Sequence, residues 1–359
     1  MFLVLICSII SGIIIPKILL VAFRKQLFDV PDERKIHRGA VPRLGGMAFL
    51  PVILFSCSLI WGADLSLGVP LELDNEQFLF RKSSFSLCAF MVLYVVGIGD
   101  DLIGVRYRAK FLFQGMAALL VVASGMTINN LHGLFGVYEL NPVMSVAITM
   151  FAIVFIVNSI NMIDGIDGLA SGLAIAASFG YGIMAIRVTD MYSAFLSFAM
   201  VGTLIPFFYY NVFSEQSKKI FMGDTGSLFI GLLLSILGIR FSSMDIDPIS
   251  PSANVFVVAF TPLIIPCFDV IRVMVHRIRT GRSPFLADKT HIHHKMIDAG
   301  LGKKPTMMVI VASSVVLSYV NIFISQYIDV TLVFVLNVIL GFSISIMLAR
   351  ISNQKKLKQ

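Results

Sequence analysis

Residues 83–101 read SSFSLCAFMVLYVVGIGDD. The run from Ser83 to Gly99 carries no charge and is closed by two adjacent carboxylates, Asp100 and Asp101. Its apolar residues are continuous rather than alternating, whereas a membrane barrel strand alternates its two faces. Only helices and closed barrels satisfy the backbone in lipid. The stretch therefore reads as a membrane-crossing helix, and the fold class as all-α and polytopic. A carboxylate pair at the negative end of a helix dipole is unfavourable without a compensating cation. The same residues thus point to a polar site at the membrane surface.

Composition extends this reading to the whole chain. Of 359 residues, 57% are hydrophobic and only 14% charged, against about a quarter charged in a soluble domain. Mean hydropathy is +0.89. About eleven stretches of roughly twenty residues are long enough to span a bilayer core. They cover approximately 2–23, 44–63, 83–99, 110–126, 143–162, 169–187, 191–210, 226–244, 253–275, 306–326 and 331–350. No soluble domain interrupts them, so residues 1–359 read as one integral-membrane domain. Met1–Phe23 lacks a basic leader and a small-x-small cleavage site, and reads as a transmembrane helix rather than a signal peptide. Cys7, Cys57, Cys88 and Cys267 all lie in apolar stretches and read as unpaired thiols.

The loops separate by charge. One alternating set holds 22 basic residues, among them Arg24, Lys25, Arg34, Lys35, Arg38, Arg43, Arg106, Arg108, Lys110, Lys218, Lys219, Arg277, Arg279, Arg282, Lys289 and Lys358. The other set holds only Arg81, Lys82, Arg187 and Arg240. By the positive-inside rule the basic set is cytoplasmic, which puts the N-terminus outside and the C-terminus in the cytoplasm. The net charge of +7 follows from this asymmetry. The same basic groups could also attract an anionic headgroup or a nucleotide diphosphate. Nothing in the pattern suggests nucleic acid.

Every polar motif falls in the basic loops. Gly99-Asp100-Asp101-Leu-Ile-Gly104 ends the third span, and Asn161-Met-Ile-Asp164-Gly-Ile-Asp167-Gly168 joins the fifth and sixth. Gly223-Asp224-Thr-Gly-Ser227 opens the eighth, and His291-Ile-His293-His294 follows the ninth. Paired carboxylates suit Mg²⁺, which takes oxygen ligands and keeps positions for water and substrate phosphate. The glycines of the Asp224 motif let backbone approach a ligand, and the helix that it opens can turn its positive end to phosphate. Each motif also has a bland reading. These are a solvated helix end, a glycine-rich polar loop, a plain N-cap and a solvated histidine loop. The histidines could also be zinc ligands, but no cysteine or fourth histidine stands near them in sequence.

Together these motifs resemble the polyprenyl-phosphate N-acetylhexosamine-1-phosphate transferases. The resemblance covers nearly the whole chain. It rests on Pro42-Arg43-Leu-Gly45-Gly46, Asp100-Asp101, Lys110, Asn161 to Gly168, Gly223 to Ser227, and His291 to His294. The His-x-His-His form looks like the N-acetylglucosamine branch. Gly104 departs from patterns in which a charged residue follows the Asp pair. The resemblance implies a bacterial inner-membrane enzyme whose site faces the cytoplasm. It would move a sugar 1-phosphate from a UDP-N-acetylhexosamine to undecaprenyl phosphate, releasing UMP and starting a cell-surface polysaccharide. It implies Asp100 and Asp101 as catalytic residues and Lys110 as the holder of the lipid phosphate. Asp224, helped by Asn161, would hold Mg²⁺, for which Mn²⁺ can substitute. Asp164, Asp167, His291, His293, His294 and Arg43 would face the nucleotide and sugar. A homodimer is common in the family.

Two other classes compete. A secondary transporter places ionisable groups near the midplane, whereas these acids gather at one face. Asp269, beside Arg272 in the ninth span, is the exception. An intramembrane Mg²⁺-dependent prenyltransferase also uses paired aspartates, but gives no role to the Gly-Asp-Thr-Gly-Ser or His-x-His-His elements.

Overall fold

The structure is a computed structural model that describes residues 1–27, 41–66, 76–244, 252–281, 283 and 290–356. Arg34, Lys35, Arg38, Arg282, Lys289 and Lys358 of the basic loops lie outside the described residues. Among the described residues thirteen α-helices follow one another: α1 (Phe2–Arg24), α2 (Phe49–Ser66), α3 (Glu76–Ile103), α4 (Tyr107–Ala123), α5 (Pro142–Ile163), α6 (Leu169–Arg187) and α7 (Met191–Val212), then α8 (Gly223–Phe241), α9 (Val255–Phe260), α10 (Ile264–Arg279), α11 (Ile292–Asp298), α12 (Lys303–Ile324) and α13 (Val330–Lys356). Among the described residues, ten runs are long and apolar enough to cross a membrane. The remaining expected span corresponds to α4, whose 17 residues reach only about 25 Å at 1.5 Å per residue.

Two expected boundaries move for clear reasons. The third span continues through the Asp pair to Ile103, because the stop signal is Gly104. Its φ of +75° suits glycine, and its N–H closes on the Asp100 carbonyl at 2.9 Å, ending α3 in a left-handed cap. The residue that departs from the charged pattern thus has a backbone duty. The ninth span is broken. Pro262 falls in a 3-10 turn, Thr261–Leu263, between α9 and α10, where a missing N–H interrupts the helical ladder. Asn254 caps the start of α9 by accepting from Phe256 and Val257 N–H.

α8 is the axis of the molecule, and nearly all of its residues from Thr225 to Phe241 are buried. Its small residues make this possible, since membrane helices without a hydrophobic drive associate by close packing. A Cβ on Gly231 would stand 2.7 Å from the Val157 Cα of α5, and one on Gly97 of α3 would stand 2.4 Å from the Thr225 Cα. α1 rests on α7 in the same way, and Ser8 and Ser11 hydroxyls donate to the Gly202 and Thr203 carbonyls at 2.9 and 2.8 Å. Before α2, residues 42–46 lie along the entry to α8. Phe221 N–H donates to Pro42 O at 2.9 Å, Gly45 N–H to Phe221 O at 3.0 Å, and Gly46 N–H to Met222 O at 2.8 Å.

This last contact yields a test of the fold. A Cβ on Gly46 would meet the Gly226 nitrogen at 2.0 Å and its Cα at 2.3 Å. Both neighbours are backbone and cannot rotate away. Gly46→Ala should destabilise the protein by about 1–3 kcal/mol, the usual range for overpacking. The check is thermal unfolding in detergent micelles, and an unchanged midpoint would contradict the packing.

Candidate active site

Four helix ends converge. Asp100 and Asp101 arrive on the last turns of α3, Lys110 on the first turn of α4, Asn161 at the end of α5, and Asp224 on the first turn of α8. The Lys110 ammonium sits between two carboxylates. It donates to Asp100 Oδ2 at 2.6 Å and to Asp224 Oδ2. Asp100 also accepts the Val105 N–H at 2.6 Å, so the turn that follows α3 holds this carboxylate towards Lys110. Asp224 is steadied on its other oxygen by the Asn161 amide at 3.0 Å, which also donates to Ser227 Oγ at 2.8 Å. One helical turn below, Gln114 of α4 and Asn158 of α5 exchange amide hydrogen bonds at 2.6 and 3.4 Å. They hold together the two helices that carry Lys110 and Asn161.

The neighbouring acid is committed elsewhere. Asp101 Oδ1 accepts the Asp224 N–H at 2.7 Å, and its Oδ2 accepts the Thr225 N–H at 2.9 Å and the Thr225 hydroxyl at 2.6 Å. Asp101 therefore caps α8 from another helix, which satisfies two of its orphan N–H groups and opposes its dipole. Those two N–H groups are thereby taken from the phosphate-binding end that the sequence suggests. Gly223 allows the arrangement. Its φ is +73°, and a Cβ there would stand 2.5 Å from Asp101 Oδ2 and 2.1 Å from the Arg43 carbonyl.

The Asp164–Gly168 loop lies beside this cluster. Asp167 pairs with Lys219 at 2.5 Å, and the Gly168 N–H donates to Asn211 Oδ1 at 2.6 Å. Asp164 is open to solvent on one side and closely surrounded by protein groups on the others. Desolvation first, then the charges of Asp224 and Asp167, push its carboxyl up to about 7, with Arg43 opposing. The exposed Arg43 is thus close enough to be felt by Asp164. The histidines reach the same loop from the far side. A Cβ on Gly165 would stand 2.2 Å from His293 Nε2. His293 stacks on His291 at 5.7 Å between ring centroids, and its ring lies tilted by 42° against that of His294 at 4.3 Å. His291 and His293 are buried, and His294 is partly exposed. Neither ring nitrogen of His293 has a hydrogen-bond partner, and burial pulls its pKa down to about 3, so the ring is neutral.

All the expected site residues therefore lie in one neighbourhood: Asp100, Lys110, Asn161 and Asp224 are joined by direct contacts, Asp101 and the Arg43 backbone stand at Gly223, and Asp164 and Asp167 belong to the loop on which His293 packs between its two neighbouring histidines. Lys219 and Gln114 were not distinguished by the sequence. Lys219 reads there only as loop charge, and its sole local signal is its place five residues before Asp224. Among the described residues, no three His, Cys, Asp or Glu side chains form a ready metal cage. Mg²⁺ commonly binds through one or two carboxylates with substrate phosphates and water completing its shell. The Asp224 carboxylate fits that mode, and the Asn161 amide beside it could contribute its oxygen after a flip.

The Asp164 environment predicts a pH effect. Its folded pKa is raised from 3.8 to about 7, so the folded state holds a proton that the unfolded state has lost. Stability falls as pH rises through that window. In metal-free protein, Asp164→Asn should melt above wild type by a margin that grows from about pH 4 to 7 and is level beyond. A margin that shrinks with rising pH would contradict the assignment.

Glycosyl transferase family 4 matches residues 84–242. A probable undecaprenyl-phosphate N-acetylglucosaminyl 1-phosphate transferase of Bacillus subtilis is 30% identical over 337 residues, covering 91% of this chain and 87% of the relative. An undecaprenyl-phosphate alpha-N-acetylglucosaminyl 1-phosphate transferase of Haemophilus influenzae is 31% identical, with 82% and 79% covered. One of the same name from Yersinia pestis is 28% identical, with 84% and 78% covered. With one such likeness running almost from end to end, the chain belongs to the family of polyprenyl-phosphate sugar-1-phosphate transferases, glycosyl transferase family 4.

Proposed function

We propose that this protein transfers N-acetylglucosamine 1-phosphate from UDP-N-acetylglucosamine to undecaprenyl phosphate, releasing UMP. The observation that carries the proposal is the Lys110 ammonium gathered between Asp100 and Asp224 from three helix ends. A cation on a flexible stem at the membrane surface suits an anionic lipid head. The names of the relatives supply the sugar and the acceptor.

In this reading Lys110 holds the phosphate of the lipid acceptor and aligns it with the donor. Asp100, which faces Lys110, takes any proton left on that phosphate. Its share is modest, because a phosphate monoester has a second pKa of about 6 and is mostly dianionic at neutral pH. Asp101 serves by holding α8, and with it Asp224, in place. Asp224 and Asn161 would hold Mg²⁺, which when bound neutralises charge on the donor pyrophosphate as UMP leaves. Arg43, Asp164, Asp167 and His294 face the nucleotide and sugar. A direct displacement by the lipid phosphate is favoured over an aspartyl-phosphate, because it needs no attack by one protein anion on another.

The test is the purified full chain in detergent with radiolabelled UDP-N-acetylglucosamine and undecaprenyl phosphate. Label should pass into the organic phase only when lipid phosphate is present. It should stop with EDTA and return with Mg²⁺. Lys110→Ala should cut turnover at least tenfold, about 1.4 kcal/mol of transition-state binding. Full turnover of that variant would overturn its role, and no transfer by wild type would overturn the function.

We also propose that the site faces the cytoplasm, on the strength of the loop charges. Arg279 at the end of α10 and Tyr138 between α4 and α5 are both exposed. In a background without native cysteines, Tyr138→Cys should react with an impermeant thiol reagent on whole cells, and Arg279→Cys should be protected. The opposite pattern would invert the protein.

A further inference from the structure

Asp269 stands apart from the Lys110 cluster. It lies on α10, 2% exposed, in a run of membrane-crossing character. A carboxylate in such a place needs partners, and it has several. Its Oδ1 accepts Arg272 Nη2 at 2.6 Å, Arg272 Nε at 3.2 Å and the Ile292 N–H at 3.0 Å. Its Oδ2 lies 2.7 Å from His291 Nδ1. Arg272 Nη2 also donates to the Thr290 carbonyl at 2.6 Å. An ionised carboxylate only accepts, so His291 donates its Nδ1 proton, and in the neutral ring Nε2 keeps the lone pair.

Three successive residues are held in this way: the carbonyl of Thr290, the ring of His291 and the N–H of Ile292. α11 starts at that point. The His291 ring lies nearly parallel to that of His293, at 12°. His293 in turn packs on Gly165, between Asp164 and Asp167. A simple tie between α10 and α11 would need only the Arg272 bridge. Here the second carboxylate oxygen is given to the first histidine of the motif.

We propose that Asp269, with Arg272, is a positioning residue for the sugar-nucleotide half of the site. It fixes the tautomer and plane of His291 and, through the ring stacked on it, the place of His293 beside the Asp164–Asp167 loop and of His294 packed against His293. The inference rests on the transferase reading above. Its effect falls on the donor and not on the lipid, whose phosphate is assigned to Lys110 across the site.

The experiment uses Asp269→Asn in the full chain. The amide keeps an oxygen for Arg272 and Ile292 but turns an NH₂ towards His291 Nδ1. KM for UDP-N-acetylglucosamine and for undecaprenyl phosphate is measured separately, with UDP affinity by calorimetry. The donor KM and the UDP Kd should each rise about tenfold, with the lipid KM unchanged within about twofold. Adding Asp269→Asn to His291→Ala should cause no further loss, because the two act in series. A merely structural role would lower the active fraction and leave both KM values alone, and that outcome overturns the proposal, as do additive losses. If Asp269→Asn is not recovered folded, Arg272→Lys carries the same test, since it keeps the charge and loses the paired contacts to Asp269 and Thr290. A wild-type protein that binds UDP but transfers no sugar phosphate would sink the transferase reading. The UDP affinities of the variants would then still decide the positioning role.

Discussion

The Lys110 ammonium between Asp100 and Asp224 is the contact on which the rest of the structure turns. Carboxylates at the edge of a membrane bundle repel one another unless a cation stands among them. Here the cation comes from a fourth helix that the chain enters after a single glycine stop. Gly104 ends α3, α4 begins three residues later, and Lys110 is carried back over Asp100. α8 must then bring Asp224 to the same point, and it does so because two of its first four residues, Gly223 and Gly226, carry no side chain. Gly46 and Gly226 touch backbone to backbone, and residues 42–46 pair with residues 221–222. The charge cluster and the small-residue packing are one constraint seen from two sides.

Adjacency in sequence separates Asp100 from Asp101 in space. Consecutive residues on a helix point about 100° apart, with 3.6 residues to a turn. One carboxylate of the pair therefore faces Lys110, and the other faces the start of α8. Two N–H groups and a hydroxyl on Asp101 make it part of the frame. Loss of Asp101 would leave α8 N–H groups without partners at a buried helix start, a cost that falls on the placement of Asp224. The two aspartates would then both be essential for different reasons.

The spans and the acids were legible because each is a local signal: continuous apolar runs, then charges where the runs stop. The order of the motifs along basic loops was enough to bring Asp100, Lys110, Asn161, Asp164, Asp167, Asp224 and the histidines into one neighbourhood. What could not be read are pairings between residues far apart in the chain. Asp101 with Thr225, Lys219 with Asp167, and Asp269 with His291 leave no periodicity or spacing behind. The break at Pro262 and the shortness of α4 are similar cases, since hydropathy averages over both. Asp269 did carry one signal, a buried acid in an apolar run, but its partner lies 22 residues on.

The charges of the site argue for what it must take up to act. Asp100 and Asp224 together bring two negative charges, and Lys110 brings one positive charge. Asp167 is answered by Lys219, and Asp164 is left to share its surroundings with Arg43. When Lys110 turns to a phosphate, both carboxylates lose their compensation just as further negative charge arrives. That exchange is uphill unless a second cation enters with the substrate, which is why Mg²⁺ belongs in the proposed reaction. Lysine suits the exchange better than arginine. Its ammonium is a compact charge on a long stem and can leave a carboxylate for a phosphate without breaking a fixed bidentate pair. On this view the Asp100–Lys110–Asp224 contact is the resting form of the site, and the proposed reaction begins when the Lys110 ammonium is drawn off.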